Sequence, residues 1–248
     1  FAGHSERYSK RKNDPNLHPD LLRELCSWEY ATVAFYERPW LHNLQQVYTG
    51  QKSFGPWTTQ GAIRKHLGSW YKHPAKFEHS YSHHLSHAAA GFQTSKFDRA
   101  TVVVIDAIGE FDTVSIWGAE YNKQGQAQYR KLWGQGYPHS IGLFYSAFTQ
   151  RVGLHPLDEE YILMGMAAYG NNDNYAILHK KLLENSKDLT FRHNLHIGLP
   201  DGLTEGMNDV DVAHSSQILV EHLINNVMDK ARILGYSKNL VYGGGVAL

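Results

Sequence analysis

His83 and His87 stand four residues apart in SHHLSHAAAGF, and Asp106 follows at the end of TVVVID. These are the residues whose types and spacing are best suited to chemistry. Ala88, Ala89 and Ala90 are strong helix formers, so the spacing predicts both imidazoles on one helix face, about 6 Å apart along the axis. Imidazoles so placed can grip one metal ion. Residues 101–105 (TVVVI) are a β-branched apolar run that reads as a buried strand, with Asp106 at its mouth beside a flexible Ala107-Ile108-Gly109 turn. Two imidazoles and one carboxylate with positions left open is the donor set of catalytic rather than structural metal sites, and it suits iron, zinc or manganese alike. The competing reading is plain packing. With sixteen histidines in 248 residues, close pairs also arise by chance on a surface or in a core.

The three groups need a helix and a strand to hold them, and the neighbouring sequence offers both. Residues 4–14 (HSERYSKRKND) read as an exposed basic loop, the alternative being a weak polyanion site. Pro19-Asp20 opens a short helix over LLRELC, and WEYATVAFYE, alternating aromatic and β-branched, predicts a strand closed by Pro39. Residues 40–72 read as a helix over WLHNLQQVY, a loop and a second short helix over GAIRKHLGSWY. Their aromatics are assigned to packing, without chemistry. A short strand over 76–79 leads into the histidine helix.

Beyond Asp106, TVSIWGAEY and QYRKLWG continue as an antiparallel meander, and a strand, Gly turn and returning strand can offer backbone amides to a phosphate. IGLFYSAFTQRVG is an apolar helix in which Ser146 and Ala147 permit close packing. An acidic turn and a second short helix ending at Gly170 follow, with Met164 and Met166 read as core filling. Residues 171–210 are loops around a KKLLE helix. Leu219, Leu223, Val227, Ala231 and Leu234 form one stripe of a long amphipathic helix capped by Gly235. NLVY is then a buried strand running into Gly243-Gly244-Gly245, where either a ligand lies against bare backbone or the chain turns tightly. There is no internal repeat.

Lys+Arg and Asp+Glu both number 24, so no global field favours nucleic acid or an anionic membrane, and the expected partner is a small molecule. The single cysteine, Cys26, excludes an internal disulfide and fits a reducing cytoplasm, and no apolar run reaches the ~20 residues needed to span a bilayer. A soluble cytoplasmic protein is expected. The length suits one large domain or two small ones. The chain opens on Phe1-Ala2-Gly3 rather than Met and ends on GGGVAL, so the expectation is a piece with its true ends beyond both.

SERYSKRKND, SHHLSHAAAGF, VVVIDAIGEFDT, PHSIGLFYSAFT, MGMAAYG and LVYGGGVAL, in that order, resemble the O-carbamoyltransferases of the nodulation-protein and antibiotic type, including the tobramycin and cephalosporin carbamoyltransferases. The likeness runs over nearly the whole chain. It falls in the family's amino-terminal domain, which is similar to the universal tRNA threonylcarbamoyltransferase and to the actin, Hsp70 and sugar-kinase fold. The resemblance implies an α/β domain truncated at both ends, with 1–95 the remainder of a first lobe and 96–248 part of a second. It also implies that the family's HxxxH pair falls on His83 and His87 and its strand-end metal carboxylate on Asp106. Gly109 and Glu110 of the DxxGE turn would lie beside the nucleotide phosphate, with Gly243, Gly244 and Gly245 in the nucleotide-contacting turn. His84 matches a family histidine of open role, and no catalytic acid or base is identified.

The activity implied is ATP-dependent O-carbamoyl transfer. A second, carboxy-terminal domain makes carbamoyl-adenylate from carbamoyl phosphate and ATP, and the domain represented here passes the carbamoyl group to a substrate hydroxyl. This chain departs from the family in three ways. The family's first strand, with its HHD-type segment, would precede Phe1, and a further metal carboxylate and the adenylate-forming domain would follow Leu248. Ile162 stands where a Lys is common. The fragment alone is therefore expected to be inactive. The alternative is a metal-dependent hydrolase or nucleotide-binding module of the same fold, which carbamoyl phosphate dependence would separate from the first reading. Loops build the acceptor pocket, so the sequence does not name the acceptor, and it leaves the oligomeric state open.

Overall fold

The computed structural model describes residues 5–11, 17–25, 32–51, 54–68, 77–185, 187 and 189–247. Contacts divide the chain into two units, 1–86 and 87–248.

In the first unit, α1 (Ser5–Ser9) and α2 (Pro19–Leu25) precede β1 (Thr32–Phe35), α3 (Pro39–Tyr48), α4 (Thr59–Leu67) and β2 (Phe77–Ser80). The loop expected over 4–14 thus contains a helical turn. The expected 28–37 strand is a strand over Thr32–Phe35, and its residues 28–31 lie outside the described residues, as does Cys26. Pro39 does not merely end the strand: it begins α3, where its missing N–H costs nothing. The buried Asn43 amide pins α3 to the following loop, accepting from Gly55 N at 3.0 Å and donating to the Gly55 and Pro56 carbonyls at 3.1 and 3.2 Å. Thr58 caps α4 by accepting from Gly61 N. β1 and β2 pair in parallel from Thr32↔Phe77 to Phe35↔Ser80. Their carboxyl ends therefore lie side by side, which brings the residues after Phe35 close to those after Ser80.

Shortly after them comes α5 (His83–Thr94). The second unit is a mixed α/β structure. Its four strands are β3 (Arg99–Gly109), β4 (Asp112–Tyr121), β5 (Ala127–Gly136) and β8 (Leu240–Gly243), in the order β5-β4-β3-β8. The helices α6 (Ile141–Arg151), α7 (Glu160–Met166), α8 (Tyr175–Leu182) and α9 (Asp209–Leu234) lie between β5 and β8, with a small β6–β7 hairpin (Leu183–Asn185, Thr190–Phe191). β4 and β5 form the expected antiparallel meander, and β8 adds in parallel to β3 with Val102↔Val241 and Val103↔Tyr242 in register.

Alternation decides which face of the sheet meets which helix. Val103, Ile105 and Ile116 point into a core with Phe144 and Phe148 of α6 and Leu219, Leu223 and Val227 of α9. Each fully buried Phe or Leu there contributes about 1.5–3 kcal/mol. Val102 and Val241 take the opposite face, where α5 packs so tightly that a Cβ on Gly91 would come within 2.7 Å of Val241. Phe92 of α5 packs there against a tilted Tyr121 ring and edge-on to Tyr129. α9 starts on an Asn208 cap with Asp209 and Asp211 in its first turn and stops at Gly235, whose φ of 61° is left-handed.

Three expectations are corrected. Leu234 is 40% exposed and Met164 is 53% exposed, so neither is core, although Met166 packs against it. The KKLLE segment is split between the end of α8 and β6. No helix among the described residues is long and apolar enough to cross a membrane.

Candidate functional site

The end of β3 is shaped by a bulge. β3 pairs with β4 as far as Ile105↔Val114, loses register, and rejoins at Gly109↔Asp112. Ala107, Ile108 and Gly109 are therefore strand rather than the expected turn, and the reversal is the two-residue loop Glu110-Phe111. The extra residues bend the strand and re-aim its side chains. Asp106 turns one oxygen, Oδ1, back to the Ala107 amide at 2.8 Å and presents Oδ2 to His87 Nε2 at 3.0 Å. His83 lies one turn earlier on α5, on the same face as His87. Within the second unit, His87 Nε2 and Asp106 Oδ2 offer an imidazole nitrogen and a carboxylate oxygen, donors that suit a divalent transition ion; His83, the third expected ligand, belongs to the first unit. The adjacent His84 is fully buried and takes a different helix face.

His83 also has a carboxylate beside it in the first unit. Glu37, just past β1, sets Oε2 at 3.9 Å from His83 Nδ1 and 3.3 Å from His42 Nδ1. Burial opposes ionisation of Glu37, but the neighbouring His42 and His83 imidazoles outweigh it and hold the carboxyl at about 2. Tyr36 packs edge-on to the His83 ring, with centroids 5.9 Å apart.

Within the second unit, Asp106 forms one wall of a cleft of about 540 Å³. Ala107, Gly142, Tyr145 and Gly245 continue its lining, and Leu157, Tyr161 and Met164 give it an apolar rim. Ser140 holds the α6 end of this cleft: its hydroxyl caps Leu143 N at 3.0 Å and donates to the Ala107 carbonyl at 2.6 Å. Gly142 must be glycine, since a Cβ would sit 2.7 Å from Ala107 Cα. The polar groups of the lining are already oriented. Tyr145 donates to Gln217 Oε1 at 2.6 Å, and Ser146 donates to Glu160 Oε1 at 2.6 Å. Burial, then the charges of Glu160 and Glu221, push the Tyr145 hydroxyl well above its ordinary range, so it remains a donor.

The glycines at the end of β8 and just after it serve chiefly to seat the chain on β3. A Cβ on Gly244, whose φ is 94°, would fall 2.2 Å from the Ile105 carbonyl oxygen, and one on Gly245 would fall 2.9 Å from Asp106 Oδ1. Gly243 is only in ordinary contact distance of the His87 carbonyl, and of the three only Gly245 lines the cleft. Gly109 and Glu110 are buried at the hairpin, Glu110 with a left-handed φ of 61°, and neither is part of the cleft lining. Sequence reasoning missed Glu37, at the end of the expected 28–37 strand, His42, in a helix given no chemistry, and the cleft residues Tyr145, Glu160 and Gln217. No spacing rule links these positions. The parallel β1–β2 pairing brings Glu37 to His83, and helix packing gathers the others.

The chain belongs to the carbamoyltransferase family: the family's "Carbamoyltransferase N-terminus" matches residues 59–248. It is similar to an uncharacterized protein of Synechocystis sp., 34% identical over 191 residues covering 67% of this chain and 30% of that protein. It is also similar to an uncharacterized protein of Methanocaldococcus jannaschii, 31% identical over 129 residues covering 47% of this chain and 21% of that protein. The matched segment is thus less than a third of either relative's length.

Proposed function

We propose that this chain is the carbamoyl-transfer part of an ATP-dependent O-carbamoyltransferase, with an actin/Hsp70/sugar-kinase-like fold whose lobes are 1–95 and 96–248. The observation that carries the reading, given the family, is the His87–Asp106 contact at the edge of a cleft large enough for a nucleotide-sized ligand. In the reaction proposed, an acceptor hydroxyl oxygen attacks the carbamoyl carbon of carbamoyl-adenylate. The carbon–oxygen bond to phosphate breaks, AMP leaves, and the hydroxyl proton is released. The adenylate would come from carbamoyl phosphate and ATP in a further domain of the same protein.

His83, His87 and Asp106 would hold a divalent ion, of iron, zinc or manganese type, which when bound supplies Lewis-acid polarisation of a carbamoyl or phosphate oxygen. The chain's own groups do the rest. The first turn of α6, at Gly142, gives the cleft an electropositive helix end suited to phosphate. Gly109 and Glu110 are proposed beside the phosphate, and Gly243, Gly244 and Gly245 as the turn that lets the nucleotide approach. Tyr145 offers a fixed polar edge, while Leu157, Tyr161 and Met164 offer an apolar side. His84 is given no chemical part. A cytoplasmic setting is proposed from the reactants, which are small phosphorylated metabolites.

The test is to supply the intact protein with carbamoyl phosphate, ATP and a panel of sugar, antibiotic and lipo-oligosaccharide hydroxyl acceptors, and to follow product by mass spectrometry. An O-carbamoylated product is expected, and His87→Ala should abolish transfer yet leave pyrophosphate release intact. Transfer that survives the substitution would remove the metal from the chemistry. Hydrolysis of a nucleotide or ester without dependence on carbamoyl phosphate would replace this reading with a hydrolase.

A further inference from the structure

The carboxylate of Glu37 sits between two imidazoles, and neither the metal trio nor the cleft accounts for it. It is largely enclosed, its side chain 15% exposed. Nothing cationic other than imidazole is paired with it among the described contacts: Oε2 faces His42 Nδ1 at 3.3 Å and His83 Nδ1 at 3.9 Å. The second distance is charge-contact range rather than hydrogen-bond length. His42 is fixed in turn through its other nitrogen, Nε2, which lies 2.8 Å from Gln46 Nε2 on the next turn of α3. The position of Glu37 itself follows from the β1–β2 register, which sets the end of one strand beside the start of α5.

We infer that Glu37 is a positioning residue for His83: it takes the Nδ1 proton side of the ring, fixes the tautomer, and leaves Nε2 as the donor that His83 offers to an ion. A metal-ligating histidine needs one nitrogen lone pair free and the other N–H anchored, and a carboxylate anchor both orients the ring and raises its basicity. His87 shows the matching polarity, since its Nε2 is the nitrogen that faces Asp106. Glu37 thus plays towards His83 a part that no spacing in the helix could supply. His42, itself held by Gln46, pairs with Glu37 Oε2 and so restrains the carboxylate beside His83.

This inference rests on the metal reading above, and the experiment separates the two. Co²⁺ is titrated into intact wild-type, Glu37→Gln and His87→Ala protein, and uptake is followed by the visible absorption of the bound ion. Wild type is expected to bind, His87→Ala to lose binding, and Glu37→Gln to bind about ten- to a hundredfold more weakly, with Glu37→Asp recovering part of the loss. If Glu37→Gln binds like wild type while His87→Ala does not bind, this inference fails and the metal reading stands. If wild type takes up no ion, or His87→Ala binds as well as wild type, both fail together. Should Glu37→Gln not fold, the wild type still decides. Long-range ¹H–¹⁵N spectra of the metal-free protein should show His83 with its proton on Nδ1, and a proton on Nε2 overturns the inference.

Discussion

Gly244 carries two demands that only glycine meets together. Its φ of 94° disfavours any side chain, and the space a Cβ would need is taken by the Ile105 carbonyl oxygen. Gly244→Ala should therefore cost at least ~2 kcal/mol, counting backbone strain and the displaced strand end. Urea unfolding measures this, and a midpoint equal to wild type would mean that the turn relaxes freely. That His83 and His87 share a helix was legible in the sequence because their four-residue spacing matches the helical repeat, which needs no knowledge of tertiary structure. The three glycines were legible as a special backbone but not in purpose: what lies against Gly244 is the protein's own β3. Glu37 was hidden because its partner is reached through strand pairing. Met164 was misread because hydropathy states that a side chain favours burial, not that a burial site exists.

The joint between β3 and α6 is the element on which the cleft depends. Ser140 ties the two, capping α6 through Leu143 N while donating to the Ala107 carbonyl, and it is 1% exposed. Ser140→Ala should lower stability by about 1–2 kcal/mol, the upper part reflecting a buried amide left without its cap. Equilibrium urea unfolding with an unchanged m-value tests this, and a loss of a few tenths would show that another group takes over the cap. The helices over 141–151 and 209–234 and the meander were readable from their periods, which switch cleanly between 3.6 and 2. The end of β3 was not. Gly109 signals a turn by type, but a bulge is defined against a partner strand, and the sequence of one strand does not say where its neighbour slips.

At the scale of the whole second unit, pH is the simplest lever. Burial depresses the pKa of His139, against a small opposing effect of Glu184, as it does that of His196; at His179 burial acts first and the neighbouring His222 adds to it. His139 in addition accepts a hydrogen bond from Phe191 N on Nδ1 at 3.2 Å, an acceptor that protonation removes. With folded values below the unfolded value of about 6.5, the unfolded chain binds more protons between the two. The histidine contribution is thus fully present above about pH 6.5 and is lost as pH falls through that value towards the folded ones. Thermal melts from pH 8 to 5 should show a falling midpoint, and His139→Gln should flatten part of the slope. A slope unchanged by the substitution would locate the acid sensitivity elsewhere.

The parallel pairing of β3 with β8 has a consequence in time as well as in space. Thr101 takes its partners from residues such as Ser237, 136 positions later in sequence. Contacts that close so long a loop form late and slow the folding of the whole. As the chain emerges from the ribosome, α5 and β3 are therefore made early but wait, with Asp106 exposed on an open strand edge, until the last strand and its glycines arrive to complete the wall. A nascent chain stalled before residue 240 should remain protease-sensitive across β3, since that strand edge is covered only once β8 is made.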